Sequence, residues 1–416
     1  MQGKPSAAAA SIVEWMVGAA LHSKPSEETF AQLVEALRNH GIPIDRAFFA
    51  HPTLHPLYHG AAFEWTPATG LTRETYGGDV DAPHDILARS PVRHVIVNEV
   101  TRFRRRLSGP GAMLDFPLLE DFAAEGLTDY LLLAVRFDGF RTTADDDLKG
   151  RSGMVCSFAT KRPEGFTDEE IETLDWLRKP LAIVVKIADQ RQVALSLAEC
   201  YIGKEAGPLV LGGAIRRGDF ATTRAVVWLS DLRSSTELAM SLPREEFVST
   251  INEFFDCTAG AVEEEEGEPL SFIGDAALAI FPIERLGEAG ARAAALRAAS
   301  RAAEASEEMN NRRRARGKAP LAWGLALHAG ELGYGNLGSP TRHSWSVIGP
   351  VVNETARLEG ITKLIGEPVV ASRAFVEGLE SAADWRAMGA FPLEGVPRAF
   401  EVFAPPARIC AREDAA

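Results

Sequence analysis

Trp228-Leu229-Ser230-Asp231-Leu232-Arg233-Ser234-Ser235-Thr236 and, further on, Phe272-Ile273-Gly274-Asp275 decide how the second half of this chain is read. Each aspartate closes a short apolar run. Residues 225–229 are too few for a helix and rich in β-formers, so they read as a buried strand ending at Asp231. Residues 270–273 meet Gly274-Asp275 and the apolar character resumes over 276–281, which predicts a hairpin with Asp275 at its tip. Carboxylates at two adjacent strand ends are suited to hold a pair of divalent cations, the arrangement that phosphoryl and nucleotidyl transfer uses. One aspartate alone would mean little.

Working outward, 416 residues with 46% apolar content bury ample core and predict two or three domains. The formal net charge of −14 argues against a general binder of nucleic acid or anionic membrane, because the phosphate-attracting force would be repulsive over much of the surface. No apolar run approaches the roughly 20 residues of a spanning helix, and Glu14 interrupts what would be the core of an N-terminal signal peptide. Cys156, Cys200, Cys257 and Cys410 are scattered without CxxC spacing. These features predict a soluble protein of a reducing, cytoplasmic compartment, with no membrane span and no zinc site.

N-terminal to the aspartates, two helices are predicted over 8–22 and 26–40, as packing helices at a domain edge. Residues 47–50, 130–135 and 154–159 read as strands between loops with Gly and Pro. Thr167 with Glu170 forms a capping-box signal ahead of Ile171, Leu174 and Leu177 at helical spacing. The order of strand, loop and capped helix, clearest over 156–188 and carried by FATKRPEGFTDEEIETL at 158–174, resembles a GAF-type sensory domain. It offers no identifiable ligand residue, so its ligand or partner is unknown.

Pro180 predicts a kink. Beyond it Leu181, Val184, Ala188, Arg191, Leu195, Ala198 and Ile202 follow steps of three and four, a seam that suits either a dimerising helix or a helix packed on its own domain. Residues 203–219, with five glycines, read as a short connector holding the domain boundary. Phe247, Ile251, Phe254, Phe255, Thr258 and Val262 mark one helix face, and the acidic run 263–266 reads as its solvated end. A helix over 288–314, a strand over 321–327 and a helix over 350–362 follow. Helices between strands match the split βαβ arrangement of ferredoxin-like palms. The fold class is α/β (α+β).

Four stretches then carry a resemblance: AVVWLSDLRSST at 225–236, LSFIGDAALAIF at 270–281, LALHAGELGYGNLGS at 325–339 and SWSVIGPVVNETARLEG at 344–360. In this order and spacing, residues 220–404 resemble the catalytic domain of class III nucleotidyl cyclases, the adenylate and guanylate cyclase family. The resemblance implies a palm whose Asp231 and Asp275 hold two divalent cations, Mg2+ or Mn2+. It implies that Asn353 orients the ribose and Arg357 stabilises charge building on the α-phosphate of ATP, or of GTP. Without it, an Asn and an Arg four apart would read as surface or capping residues. The main-chain amides of Leu232, Arg233, Ser234, Ser235 and Thr236, entering a helix, are candidate triphosphate cradles. His328 reads as structural.

The chain departs from the family's pattern at several positions. Ser271 stands where adenylate cyclases carry a base-selecting Lys and guanylate cyclases a Glu, and Ser346 stands at the partner position. Both serines donate or accept hydrogen bonds, so neither purine is excluded. Glu394 replaces the family's phosphate-binding Lys, with Arg398 nearby, and Ser234-Ser235 replaces the common Gly-Phe. The expected organisation is N-terminal helices at 1–40, a GAF-like domain at 41–188, a helical linker and connector at 181–219, a cyclase domain at 220–404 and a tail at 405–416. The expected activity is that of an adenylate cyclase, as a homodimer with shared sites. A guanylate cyclase and a catalytically silent nucleotide-binding regulator are the alternatives. A metal-dependent polymerase or nuclease is disfavoured, since the acidic chain offers no template track.

Overall fold

The computed structural model describes residues 7–22, 24–76, 89–137, 152–393, 395 and 399–406. The chain divides into two compact units, Met1–Leu197 and Ala198–Ala416. Among the described residues no helix is long and apolar enough to cross a membrane.

The first unit is built on one antiparallel sheet. Helices α1 (Ala7–Leu21) and α2 (Ser26–Asn39) precede strands β1 (Arg46–Pro52), β2 (Gly60–Thr66) and β3 (Gly70–Tyr76). Helix α3 (Pro91–Val97), β4 (Arg102–Arg106), α4 (Pro117–Ala124), β5 (Asp129–Phe137), β6 (Ser152–Thr160) and the long helix α5 (Asp168–Ile202) follow. The strand order is β3-β2-β1-β6-β5-β4. Alternation along β5 sends Leu131 and Leu133 into one core with Phe30, Phe49 and Leu177, and Tyr130 and Leu132 into another with Phe103 and Phe122. The capping box forms as the sequence predicts: Thr167 Oγ1 accepts from the Glu170 amide at 3.2 Å, and the Thr167 amide donates to Glu170 Oε2 at 2.7 Å.

Helix α5 continues through Pro180, with Leu177, Leu181, Val184 and Val185 buried on both sides of the proline. Leu181 and Val184, at the start of the seam, lie buried in the core of their own unit, in keeping with a helix packed on its own domain.

The second unit takes in the end of α5 from Ala198 and then a short helix, α6 (Ala206–Leu211), inside the stretch expected to be a plain connector. Gly207 explains the packing, since a Cβ there would meet the backbone of Ala198 and Glu199 within 3 Å. Next come β7 (Phe220–Leu232), α7 (Ser235–Ser241), α8 (Arg244–Glu264), β8 (Glu268–Ile273), β9 (Ala276–Pro282) and α9 (Glu288–Ala315). They are followed by β10 (Trp323–Gly338), β11 (His343–Ile348), α10 (Pro350–Ile365), β12 (Val369–Ser372), β13 (Arg386–Phe391) and β14 (Phe400–Ala404). The sheet order is β13-β14-β12-β10-β7-β9-β8, with β11 paired to β10. The expected strand at 321–327 thus starts later, at Trp323, and is far longer, because β7 pairs with it from Leu232 to Phe220.

Alternation along β7 builds both faces. Val226 and Trp228 join Phe254, Phe281, Ala295, Ala298 and Leu327 beneath α8 and α9, while Ala225 and Val227 pack with Leu278, Ile280 and Val351 on the other face. The alanines of α9 leave little side chain between helix and sheet, which permits close approach. One acidic position departs from the solvated reading: Glu265 is buried and accepts from Arg297 and Arg301. Burial raises its carboxyl, but these two hydrogen bonds outweigh it and hold the group below the usual carboxylate range.

Candidate active site

The two aspartates meet because two strand ends meet. Asp231 is the penultimate residue of β7, paired across the sheet with Ala276 of β9 on one side and Gly324 of β10 on the other. Gly274 and Asp275 form the turn between β8 and β9, and Gly274 takes φ 67°, a conformation glycine adopts without strain. The Leu232 amide donates to the Asp275 carbonyl at 3.3 Å, tying the turn to the end of β7. The Asp231 and Asp275 carboxyls interact directly.

A lysine joins them. Lys363, in the last turn of α10, donates from Nζ to Asp231 Oδ2 at 3.1 Å. Burial and Asp275 push the Asp231 carboxyl above its usual range against the pull of this ammonium. The hydrogen bond to Asp231 in turn holds the Lys363 ammonium above the usual lysine range. Glu359, one turn earlier on α10, is buried, and burial together with Asp231 raises its carboxyl. Neither Lys363 nor Glu359 is singled out by the sequence: a lysine in the last turn of a helix reads as a partner of the helix dipole.

The proposed cradle is smaller than expected. The amide of Leu232 is spent on Asp275, and that of Arg233 donates to the Ala322 carbonyl at 2.8 Å, so sheet and loop pairing removes both from phosphate binding. Ser234 takes a left-handed conformation, φ 55°, and Ser235 and Thr236 open α7. Ser271 lies on β8 opposite Leu278, and Ser346 lies on β11 opposite Gly335.

Asn353 and Arg357 are exposed on α10, four residues apart and therefore on one face. Asp231 hydrogen-bonds to this helix at Lys363, ten residues past Asn353 and six past Arg357, and Asn353 is about 15 Å from Lys363 along the helix axis. His328 is buried between Ser372 Oγ at 2.6 Å and Glu354 Oε2 at 3.0 Å, and burial lowers its pKa; it is a satisfied core histidine. Glu394 and Arg398 lie outside the described residues, as does Cys410.

No protein-family model matches the chain. An adenylate cyclase of Anabaena cylindrica is 28% identical over 169 residues, 40% of this chain and 32% of the relative. Adenylate cyclase 1 of Rhizobium meliloti is 28% identical over 176 residues, 42% of this chain and 26% of the relative. The chain thus spans about a third or less of these relatives. Among solved structures, the adenylyl cyclase CyaB from P. aeruginosa aligns with 48% of this chain and 100% of its own, at 24% identity and a TM-score of 0.39. Taken with the four motifs, the similarity to these curated cyclases supports a class III adenylate/guanylate cyclase catalytic domain in this chain.

Proposed function

We propose that the chain is an adenylate cyclase, converting ATP to 3′,5′-cyclic AMP and pyrophosphate, with its catalytic domain at 220–404. The observation that carries the reading is the meeting of Asp231 and Asp275 at neighbouring strand ends, tied by the Leu232 amide on the Asp275 carbonyl, in a chain similar to curated adenylate cyclases. Magnesium or manganese fits this pair. Carboxylates are hard oxygen donors, and a cation relieves the repulsion that raises Asp231. Among the described residues no three His, Cys, Asp or Glu side chains gather as a metal cluster, so the triphosphate would complete the shell, as is usual for magnesium.

Bound to Asp231 and Asp275, two such ions would lower the pKa of the ribose 3′-hydroxyl and neutralise the triphosphate. The chain's own residues do the positioning. Asn353 holds the ribose so that its 3′-oxygen faces the α-phosphorus, and Arg357 stabilises the charge that builds as the new P–O bond forms and pyrophosphate leaves. The amides of Ser234, Ser235 and Thr236 face the phosphates, and Ser271 and Ser346 face the base. As the cyclase resemblance implies, each site takes its aspartates from one copy and its Asn353 and Arg357 from another, in a homodimer. The N-terminal unit, read as GAF-like over 41–188 behind the helices at 1–40, adjusts activity through the linker at 181–219.

GTP is kept as a second substrate on one observation: Ser271 and Ser346 are uncharged and offer either purine a donor or an acceptor. Incubating the purified protein with ATP and with GTP, each with magnesium and with manganese, and resolving the products by chromatography tests the proposal. Cyclic AMP as the main product supports it. Cyclic GMP from GTP in its place makes the chain a guanylate cyclase, and no cyclic nucleotide under any of the four conditions leaves the silent regulator.

A further inference from the structure

Lys363 stands at this site, and the reaction as proposed gives it no part. Its ammonium reaches Asp231 across 132 residues of sequence. The two ends of the pair differ in cover: the lysine side chain is 51% exposed, the aspartate 21%. A lysine held from the solvent side on a flexible stem swings away without opening the core.

It also has somewhere to go. Glu359 precedes Lys363 by four residues, so the two face each other on α10. Glu359 is buried and accepts from Thr362 Oγ1 at 3.1 Å, which fixes its carboxylate. The space it occupies exists because residue 324 is glycine: a Cβ there would overlap Glu359 Oε1, and Gly324 is the cross-strand partner of Asp231. Lys363 therefore pairs with Asp231 on the strand and stands one helical turn from Glu359, whose carboxyl feels the charge of both Asp231 and Lys363.

We propose that Lys363 is a positioning residue that competes with a divalent cation for Asp231 and turns to Glu359 when the cation binds. The inference rests on the reading of Asp231 as a metal-binding carboxylate. A lysine ammonium and a divalent ion repel each other at one carboxylate oxygen, so they exclude one another there. While paired, Lys363 holds the Asp231 carboxylate in place. Glu359 keeps the lysine charge compensated after the exchange.

Titration of the full chain with manganous ion alone, following the electron paramagnetic resonance signal of the free ion, tests this. Lys363→Met and Lys363→Gln should each bind manganese about three- to fivefold more tightly than the unaltered protein, the worth of an ion pair this exposed. Lys363→Arg, which keeps the charge, should stay within about twofold, and Glu359→Gln, which removes the second partner, should bind about two- to fivefold more weakly. Asp231→Asn is the control for the underlying reading. If it binds manganese as well as the unaltered protein does, the metal reading falls and the competition with it. If it binds weakly while folded Lys363→Met and Lys363→Gln show no gain, the metal reading stands and the competition is refuted. An unchanged affinity in folded Glu359→Gln refutes the exchange between carboxylates.

Discussion

Mixing Asp231→Asn with Arg357→Ala, each inactive alone, should restore cyclase activity. The argument starts from α10. Asp231 touches this helix at Lys363, whereas Arg357 lies six residues earlier, about 9 Å along the axis and about 120° around it. The cyclase resemblance implies that a substrate bound at Asp231 and Asp275 meets the Arg357 of a second copy. In a two-fold dimer the mixed species has one site carrying both lesions and one carrying neither. With free exchange of equal amounts, about half of the dimers are mixed and each keeps one intact site of two, so activity should approach about a quarter of the unaltered protein. The assay is cyclic AMP production against mixing ratio, with exchange followed by fluorescence transfer between labelled subunits. Zero recovery despite demonstrated exchange and native melting of both variants would refute the shared site.

Asp231→Asn or Asp275→Asn alone should lower turnover by at least about a hundredfold, since each removes a ligand of the ions that stabilise the transition state; near-normal turnover in either folded variant would contradict the assignment. Ser271→Lys should raise the ratio of kcat/KM for ATP over GTP, because it restores the donor that the cyclase resemblance places against adenine, and an unchanged ratio means that residue 271 does not face the base. The depressed Glu265 carboxyl gives a pH prediction. A group whose folded pKa lies below its unfolded value contributes stability above the unfolded pKa, about 4.3 for Glu, and loses it as pH falls through the folded one. Glu265→Gln should therefore lower the melting temperature slightly at neutral pH, with the difference shrinking below about pH 4. The change is small because Arg297 and Arg301 are both more than half exposed.

The sequence by itself determined the local elements and the chemistry-bearing positions. Apolar runs ending at Asp231 and Asp275 specified a strand and a hairpin because side-chain alternation and a Gly-Asp turn are local properties, and both formed where they were read. Thr167 and Glu170 marked the start of α5 for the same reason. Tertiary structure decided what depends on partners distant in the chain. It spent the Leu232 and Arg233 amides on Asp275 and Ala322, buried Glu265 under two arginines, and chose for Leu181 and Val184 the core of their own unit. It also brought Lys363 onto Asp231, a pairing that spans 132 positions and leaves no mark in either residue's neighbourhood, because an ion pair across a fold is set by sheet register and helix docking.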